Sequence, residues 1–383
     1  MAGRCISGEA LDRITEHTDV SKLTYSDLIK SVRRDPEIAK FAPERRCQAD
    51  PRDGTRVLFA PARAARAGHG TDVADCPVCA GRITTIIDIV PLAHGFTFIN
   101  KNLYPVVYPD SGIVREGRVA DARAELLPDP DPAFGIHFLQ WSSSEHLKDL
   151  HNMDPEEIAV VLQRLAALER ALLHAEGSPL PVVEGARDGT HRGHVSIIKN
   201  RGRLVGGSVR HGHQQVVHSN VQPRRIRNDI EFRKSRGVTF GAYLLDLTPK
   251  LLRVARYGDA FDLVIPFFMS RPLNSMLVSR ETDVEHLHDL DAAAIGALAR
   301  GLHEMTYAVA LILRRMRRTF TYNLVFHTGP IGRFYVEMLP YSQETGGFEH
   351  LGLYVCQGTP AGTADLYREA IIEVRRRSAD EPA

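Results

Sequence analysis

A six-residue motif occurs twice in this chain and constrains its fold more than any other feature. Glu145-His146-Leu147-Lys148-Asp149-Leu150 returns as Glu285-His286-Leu287-His288-Asp289-Leu290, 140 positions later. Each copy follows a strand-like segment, residues 135–141 in one case and 274–278 in the other. Each also leads into a long amphipathic helix. The first helix has Asp154 placed as N-cap, Pro155 at its first position, and Ile158, Leu162, Leu165, Leu168 and Leu172 at helical spacing. The second starts near Asp291 and continues through Ile295, Leu298, Leu302, Met305 and Val309. A further strand follows each helix, residues 194–199 and 322–327. The shared order of strand, motif, helix and strand predicts a duplicated α+β unit.

Around this repeat the 383 residues divide into a charged helical lead-in, 1–44, packed on the body or partly mobile, and two halves, 45–232 and 233–383. The first half opens with the turn Asp50-Pro51-Arg52-Asp53-Gly54 and strands near 56–59, 84–90 and 96–100. Residues 109–133, rich in Asp, Pro, Gly and Arg, read as a surface excursion. A hydrophobic content of 43% suffices for a large core without disulfides. Lys+Arg 48 against Asp+Glu 47 leaves +1, which removes any general attraction to nucleic acid or an anionic membrane. No apolar run reaches membrane-spanning length and the first residues lack an apolar signal core, so a cytoplasmic location is expected. Of the five cysteines, Cys5, Cys47 and Cys356 are scattered and read as small buried residues. Cys76 and Cys79 form a Cys-x-x-Cys pair, which points to metal or redox chemistry.

The densest chemical signal is His211-Gly212-His213-Gln214-Gln215-Val216-Val217. On a strand, alternate side chains share a face, so His211, His213 and Gln215 are expected to project together. Upstream, the glycine-rich stretch from Asn200 to Ser208 can offer backbone N–H groups to a phosphate, with the Ser208 hydroxyl as a further donor. An imidazole can attack phosphorus and form a covalent nucleotidyl-histidine, and a neighbouring Gln can donate to a phosphate oxygen without adding negative charge. The plain alternative is a hairpin carrying solvent-facing histidines.

These residues resemble the galactose-1-phosphate uridylyltransferase family of the histidine-triad superfamily, which includes ADP-glucose phosphorylase-like members. The resemblance spans roughly residues 45 to 370, with Asn200, Gly202, Gly206, Ser208 and His211-x-His213-x-Gln215 in the family's order. Gly212 and Gln214 occupy the variable slots of the family's His-Pro-His-Gly-Gln. The resemblance implies two histidine-triad-like halves, each an antiparallel sheet with long helices, and a homodimer. It makes His213 the nucleophile and Gln215 the stabiliser of the nucleotidyl phosphate. Arg63, Arg66, Asn102, Asn200, Gly206, Gly207 and Ser208 become substrate-binding positions. The implied reaction moves a nucleoside monophosphate from a nucleotide sugar, through His213, to a sugar 1-phosphate or to inorganic phosphate.

The resemblance also implies a structural zinc ion held by Cys76, Cys79, His146 and His211, beside the chemistry. The family's second metal is expected to be missing. His327 is kept, but the later His-x-His is replaced by Tyr335-Val336-Glu337, which with His327 could hold at most a weak ion. The second half also lacks His-x-His-x-Gln, which leaves one nucleophile per chain. Gly206-Gly207-Ser208-Val209-Arg210-His211 and residues 347–354 look closer to phosphorylase-type members than to uridylyltransferases, and the galactose-contacting Glu and Gln are not found at matching positions. Two other classes stand beside this reading. One is a nucleotide hydrolase or dinucleoside polyphosphate phosphorylase, and Gln215 in place of a third His weighs against hydrolysis. The other is a non-catalytic nucleotide-binding protein, which the intact His213 and Gln215 weigh against.

Overall fold

Short segments of alternating burial build one continuous antiparallel sheet. The computed structural model describes residues 6, 8–66, 76–109, 130–183, 189–330 and 332–380. Cys5 and most of the 109–133 excursion lie outside them. In chain order the strands are β1 (Arg46–Ala49), β2 (Arg56–Leu58), β3 (Ile86–Pro91), β4 (Phe96–Lys101), β5 (Asp131–Pro132), β6 (Gly135–Trp141), β7 (His194–Arg201) and β8 (His213–Ser219). The second half adds β9 (Arg253–Tyr257), β10 (Phe261–Val264), β11 (Ser275–Ser279), β12 (Tyr322–His327) and β13 (Tyr335–Pro340). Strands β2, β1 and β5 form a small separate sheet, and the other ten share the order β3-β4-β6-β8-β7-β12-β13-β11-β10-β9. Read from either edge inward, the two sets of five follow the same path. The repeat seen in the sequence is thus a repeat of topology, and the copies join where β7 pairs with β12, Ile198 opposite Val325.

The helices lie as their patterning requires. Helices α1 (Gly8–Ile14), α2 (Tyr25–Arg34) and α3 (Pro36–Lys40) precede β1; α4 (Pro155–Leu173) follows the first motif. Helix α5 (Arg224–Arg236) runs across the boundary expected at 232/233, and α6 (Phe240–Leu247) and α7 (Ala292–Arg315) belong to the second half, with α7 following the second motif. Ile158, Leu162, Leu165, Leu168 and Leu172 of α4 are all fully buried. Their spacing puts them on one stripe, which packs with Leu298, Leu302, Met305 and Val309 of α7 against Ile136, Phe138, Ile197, Val216 and Leu324 of the sheet. Pro155 opens α4 where a missing N–H costs nothing, and the Asp291 carboxylate caps α7 by accepting from Ala294 N at 2.8 Å. Among the described residues no helix is long and apolar enough to cross a membrane.

The lead-in is tied to the body by buried charge. Lys101, on β4 and only 2% exposed, donates through Nζ to Glu16 at 3.0 Å and to the Ser31 carbonyl at 3.1 Å, and pairs with Asp35 at 3.4 Å. Asp88 of β3 accepts from Val20 N at 2.8 Å and from Arg164 Nε at 2.9 Å. Val20, Leu28, Val32 and Ile38 join the main core.

The opposite face of the sheet carries different cargo in each half. In the first half Phe98 and Trp141 of the sheet meet Cys76, Val78 and Val209. In the second, Ile226 of α5 and Leu244 and Leu245 of α6 cover Val264, Met276, Val278 and Tyr335.

Candidate active site

Alternation along β6 and β8 builds the floor of a cleft on that first-half face. Trp141 pairs with His213 and Leu139 with Gln215 in the ladder. All four line a cleft of about 350 Å³, together with Arg66, Arg82, Thr84, Asn100, Asn102, Tyr104 and Ser208. That volume lies within the usual range for small-molecule sites.

His213 opens β8 with its ring held from two sides. Its Nδ1–H donates to the His211 carbonyl at 2.9 Å, which leaves the lone pair on Nε2. The Trp141 ring lies against it, centroids 4.8 Å apart. Burial pushes the imidazole down to about 4, so the ring is neutral near pH 7. A buried neutral imidazole in one fixed tautomer is a competent nucleophile.

Below the ring lies a buried ion pair. Lys199 Nζ, on β7, contacts Asp149 Oδ1 at 2.7 Å and donates to the His213 carbonyl at 3.2 Å. Both side chains are 1% exposed. Arg201 adds a second contact to Asp149 at 2.7 Å. Burial alone would raise the Asp149 carboxyl; the charges of Lys199 and Arg201 outweigh it and hold the group well below the usual carboxylate range. Asp149 belongs to the first copy of the repeated motif. A Cβ on Gly212 would fall 2.6 Å from its Cγ, so the bend before β8 can press onto this carboxylate only with glycine there.

Strand β8 starts at His213, so His211 lies in the bend before it and does not share the cleft face. Sequence alternation placed it with His213 and Gln215; the bend instead turns its ring toward the cysteines. His211 Nδ1 lies 3.8 Å from Cys76 Sγ and 3.6 Å from Cys79 Sγ, and His146 Nδ1 lies 3.4 Å from Cys79 Sγ. Zinc bonds of about 2.3 Å to sulfur and 2.0–2.1 Å to nitrogen, at the tetrahedral angle, would set S and N about 3.5 Å apart. The four side chains therefore form a cluster that fits one ion. His211 Nε2 donates to the Ser143 carbonyl at 2.7 Å, which fixes the tautomer that presents Nδ1.

The substrate-binding positions read from the sequence separate into two groups. Arg66, Asn102 and Ser208 line the cleft. Asn200, Gly206, Gly207 and Arg63 stand behind it. The amides of Gly206 and Gly207 donate to the Arg203 and Gly202 carbonyls, so the loop spends these donors on its own turn instead of offering them to a phosphate. Gly206 is left-handed (φ +84), and a Cβ on Gly207 would sit 2.7 Å from Gly202 O. Asn200 accepts from Asn323 Nδ2 at 2.8 Å across the seam, and that same amide bonds Val205 O at 3.1 Å. Arg63 donates to the Tyr104 carbonyl, which steadies the cleft wall.

Sequence reading missed His137. It shares the β6 face with Leu139 and Trp141, is 3% exposed, and has Gln215 of β8 as a diagonal neighbour. Its Nε2 lies 3.1 Å from Asn102 Nδ2, and its Nδ1 accepts from Val106 N at 3.2 Å. Burial first, and Arg63 second, push it down to about 3, so the ring is neutral near pH 7. Trp141, the only tryptophan, was also passed over. Its Nε1–H donates to Asn100 Oδ1 at 2.8 Å, which sets the ring angle against His213. The period-2 pattern of residues 135–141 was the signal that could have found both.

In the second half His327 Nε2 and Glu337 Oε2 are 3.1 Å apart, and Tyr335 donates to Asp229 Oδ2 at 2.8 Å beneath the stacked His327 ring. These groups satisfy one another in pairs.

No family model matches the chain. Its sequence is 22% identical over 351 residues to ADP-glucose phosphorylase of Arabidopsis thaliana, covering 84% of this chain and 91% of that protein. A solved uridylyltransferase superposes with a TM-score of 0.66 at 19% identity, over 86% of this chain and 99% of that one. The structure of the Arabidopsis thaliana ADP-glucose phosphorylase with bound ADP-glucose gives 0.58 at 22% identity, over 86% and 99%. The solved structures establish a shared fold. The resemblance to the galactose-1-phosphate uridylyltransferase family, with its ADP-glucose phosphorylase-like members, holds in sequence and in fold.

Two outcomes follow from this geometry. Asp149→Asn strands the Lys199 ammonium and is expected to cost about 3–5 kcal/mol in urea unfolding at pH 7. Because the folded carboxyl is depressed, its contribution is complete above the unfolded value of about 3.9 and lost as pH falls below it. The deficit of the variant against wild type should therefore be steady from pH 7 to about 4 and shrink below that; a deficit equal at pH 7 and pH 2.5 contradicts the pairing. Cys76→Ser or Cys79→Ser should remove one metal equivalent per chain, read by plasma mass spectrometry, and lower Tm, because a structural ion contributes folding free energy.

Proposed function

We propose that the protein is a nucleotidyltransferase that takes a nucleoside monophosphate from a nucleotide sugar onto His213 and delivers it to a phosphate-bearing acceptor. The observation that carries this reading is the buried, neutral His213 ring with Nδ1–H tied to the His211 carbonyl, beside Gln215 on the cleft floor. In the first step His213 Nε2 forms a bond to the α-phosphorus while the bond to the bridging oxygen breaks, and a sugar 1-phosphate leaves. In the second, an acceptor phosphate oxygen attacks the same phosphorus and the N–P bond breaks. The pentacoordinate phosphorus concentrates charge on its non-bridging oxygens. Gln215 can donate to one of them, and Ser208 and Arg66, which line the same cleft, supply donors for the other phosphate. Asn102, Tyr104 and the apolar wall of Val78, Ile83 and Leu139 suit a nucleoside. Asn200, Gly206, Gly207 and Arg63 act by shaping the loop and wall.

The ion we assign to Cys76, Cys79, His146 and His211 is zinc, on the mixed thiolate and imidazole donor set. When bound it supplies a crosslink between the 76–79 segment, the first motif and the bend before His213, with no part in bond making.

We further propose inorganic phosphate as the acceptor, which makes the overall reaction a phosphorolysis that releases a nucleoside diphosphate. Support comes from the sequence relative, an ADP-glucose phosphorylase, and from the Gly206-Gly207-Ser208 block. A sugar phosphate acceptor would need further polar groups placed to read hydroxyls.

His213→Gly should abolish turnover by several orders of magnitude with the fold intact by circular dichroism, since no other nucleophile can complete the covalent route. Retention of more than about a tenth of the wild-type rate would show the nucleophile to be misassigned. Gln215→Ala should lose about 10²–10³ in kcat, as for a removed oxyanion donor. Incubation with ADP-glucose or UDP-glucose labelled in the α-phosphate should leave acid-labile label on the wild-type protein and none on His213→Gly. Inorganic phosphate should chase it off as nucleoside diphosphate; release by galactose 1-phosphate alone overturns the phosphorolysis reading and keeps the transferase.

A further inference from the structure

The second copy of the motif brings a separate set of histidines together on the helix side of the sheet, away from the cleft. His174 follows the last turn of α4, His191 precedes β7, and His288 sits in the short 3-10 turn Leu287–Asp289. One ring nitrogen from each lies within 4.8 Å of the other two. His191 and His288 are buried, 5% and 9% exposed, whereas His174 is exposed. His174 and His288 also line a surface cavity of about 500 Å³ together with Arg170 and Leu290.

The orientation of His288 is what distinguishes this group from a chance gathering. Glu169, a fully buried carboxylate on α4, accepts from His288 Nδ1 at 2.8 Å and from its backbone N at 3.0 Å. The other carboxylate oxygen accepts from the Thr328 hydroxyl at 2.5 Å. Fixing the proton on Nδ1 leaves Nε2 as the lone-pair nitrogen, the arrangement by which a carboxylate orients a metal-ligating histidine and raises its basicity. His286 stacks on the same ring, centroids 5.0 Å apart, and pairs with Asp289, so His288 has little room to turn. In the first copy of the motif Lys148 stands at the position of His288, so this histidine belongs to the second copy alone.

We propose that His174, His191 and His288 form a second metal site, for a divalent d-block ion such as Zn²⁺ or Co²⁺, with Glu169 as its orienting carboxylate and a coordination position open to the surface cavity. Three imidazole nitrogen donors select such an ion over Mg²⁺ or Ca²⁺, which take oxygen donors. Bonds of about 2.0–2.1 Å to nitrogen set tetrahedral N···N separations near 3.4 Å. The three nitrogens, which lie within 4.8 Å of one another, would have to draw in to that spacing on binding, and the exposed His174 side chain is the freest to move. The site would join the end of α4 in the first half to the motif of the second, where Arg170 already donates to the His288 carbonyl at 3.0 Å.

The test uses the intact purified chain dialysed against micromolar zinc, desalted and analysed by plasma mass spectrometry. Wild type should hold two zinc equivalents, and His174→Ala, an exposed change that leaves the fold intact by circular dichroism, should hold one. Glu169→Gln should weaken the second equivalent by about 10–100-fold. Cobalt added to wild type and to His174→Ala should give a difference spectrum of d–d bands without thiolate charge transfer, since no sulfur belongs to this site. Equal zinc content in wild type and His174→Ala overturns the proposal. So does a cobalt difference spectrum that carries thiolate charge transfer. Loss of the equivalent in His174→Ala supports the site whether or not the cysteine variants lose theirs.

Discussion

The Asp149–Lys199 pair is the interaction on which the first half turns. Its oxygens and ammonium reach three separate pieces of chain: the repeated motif, β7, and the bend from Gly212 to the carbonyl of His213. A buried pair of this kind is weak as a source of net stability, because desolvation offsets most of the Coulombic gain. Its strength is in selectivity of geometry. A Lys199 ammonium excluded from water has to meet both the carboxylate and the His213 carbonyl, and only one placement of β8 against β7 lets it do so. The Nδ1–H of the same histidine then has one acceptor, and the tautomer follows.

The metal cluster and the cleft are consequently two readouts of one bend. His211 and His213 are two residues apart, yet one faces the thiols and the other the cleft, because the strand begins between them. Trp141 touches both rings, edge-on to His211 at 5.4 Å and tilted on His213 at 4.8 Å. Whatever stiffens the cluster stiffens the His213 ring through that shared wall.

Much of this was legible in the sequence, and the reasons differ by feature. The helices after each motif were readable because apolar spacing and caps are local properties, and both begin where Asp154 and Asp291 indicate. The convergence of Cys76, Cys79, His146 and His211 was reachable only through family resemblance, since no local rule links residues 135 positions apart. The amides of the glycine loop were misjudged because composition reveals that a turn can expose N–H groups, not whether the turn consumes them. His137 escaped because one histidine in an alternating strand is an ordinary core residue until its neighbours are known. The lead-in could be read as packed or as partly mobile because its anchors, Lys101, Asp88 and Arg164, are charges whose burial cannot be inferred from charge alone.

The seam between β7 and β12 has a consequence for how such a chain can come apart. Five residue pairs lie in register across it, in the middle of a sheet whose outermost strands are β3 and β9. Parted there, each half would present an unpaired central strand, a ready template for pairing with other chains. Each half covers that strand for the other, and because both lie on one polypeptide the covering partner is never lost by dilution. The second half meanwhile fills its own face with α5 and α6 while still serving as the edge that the first requires.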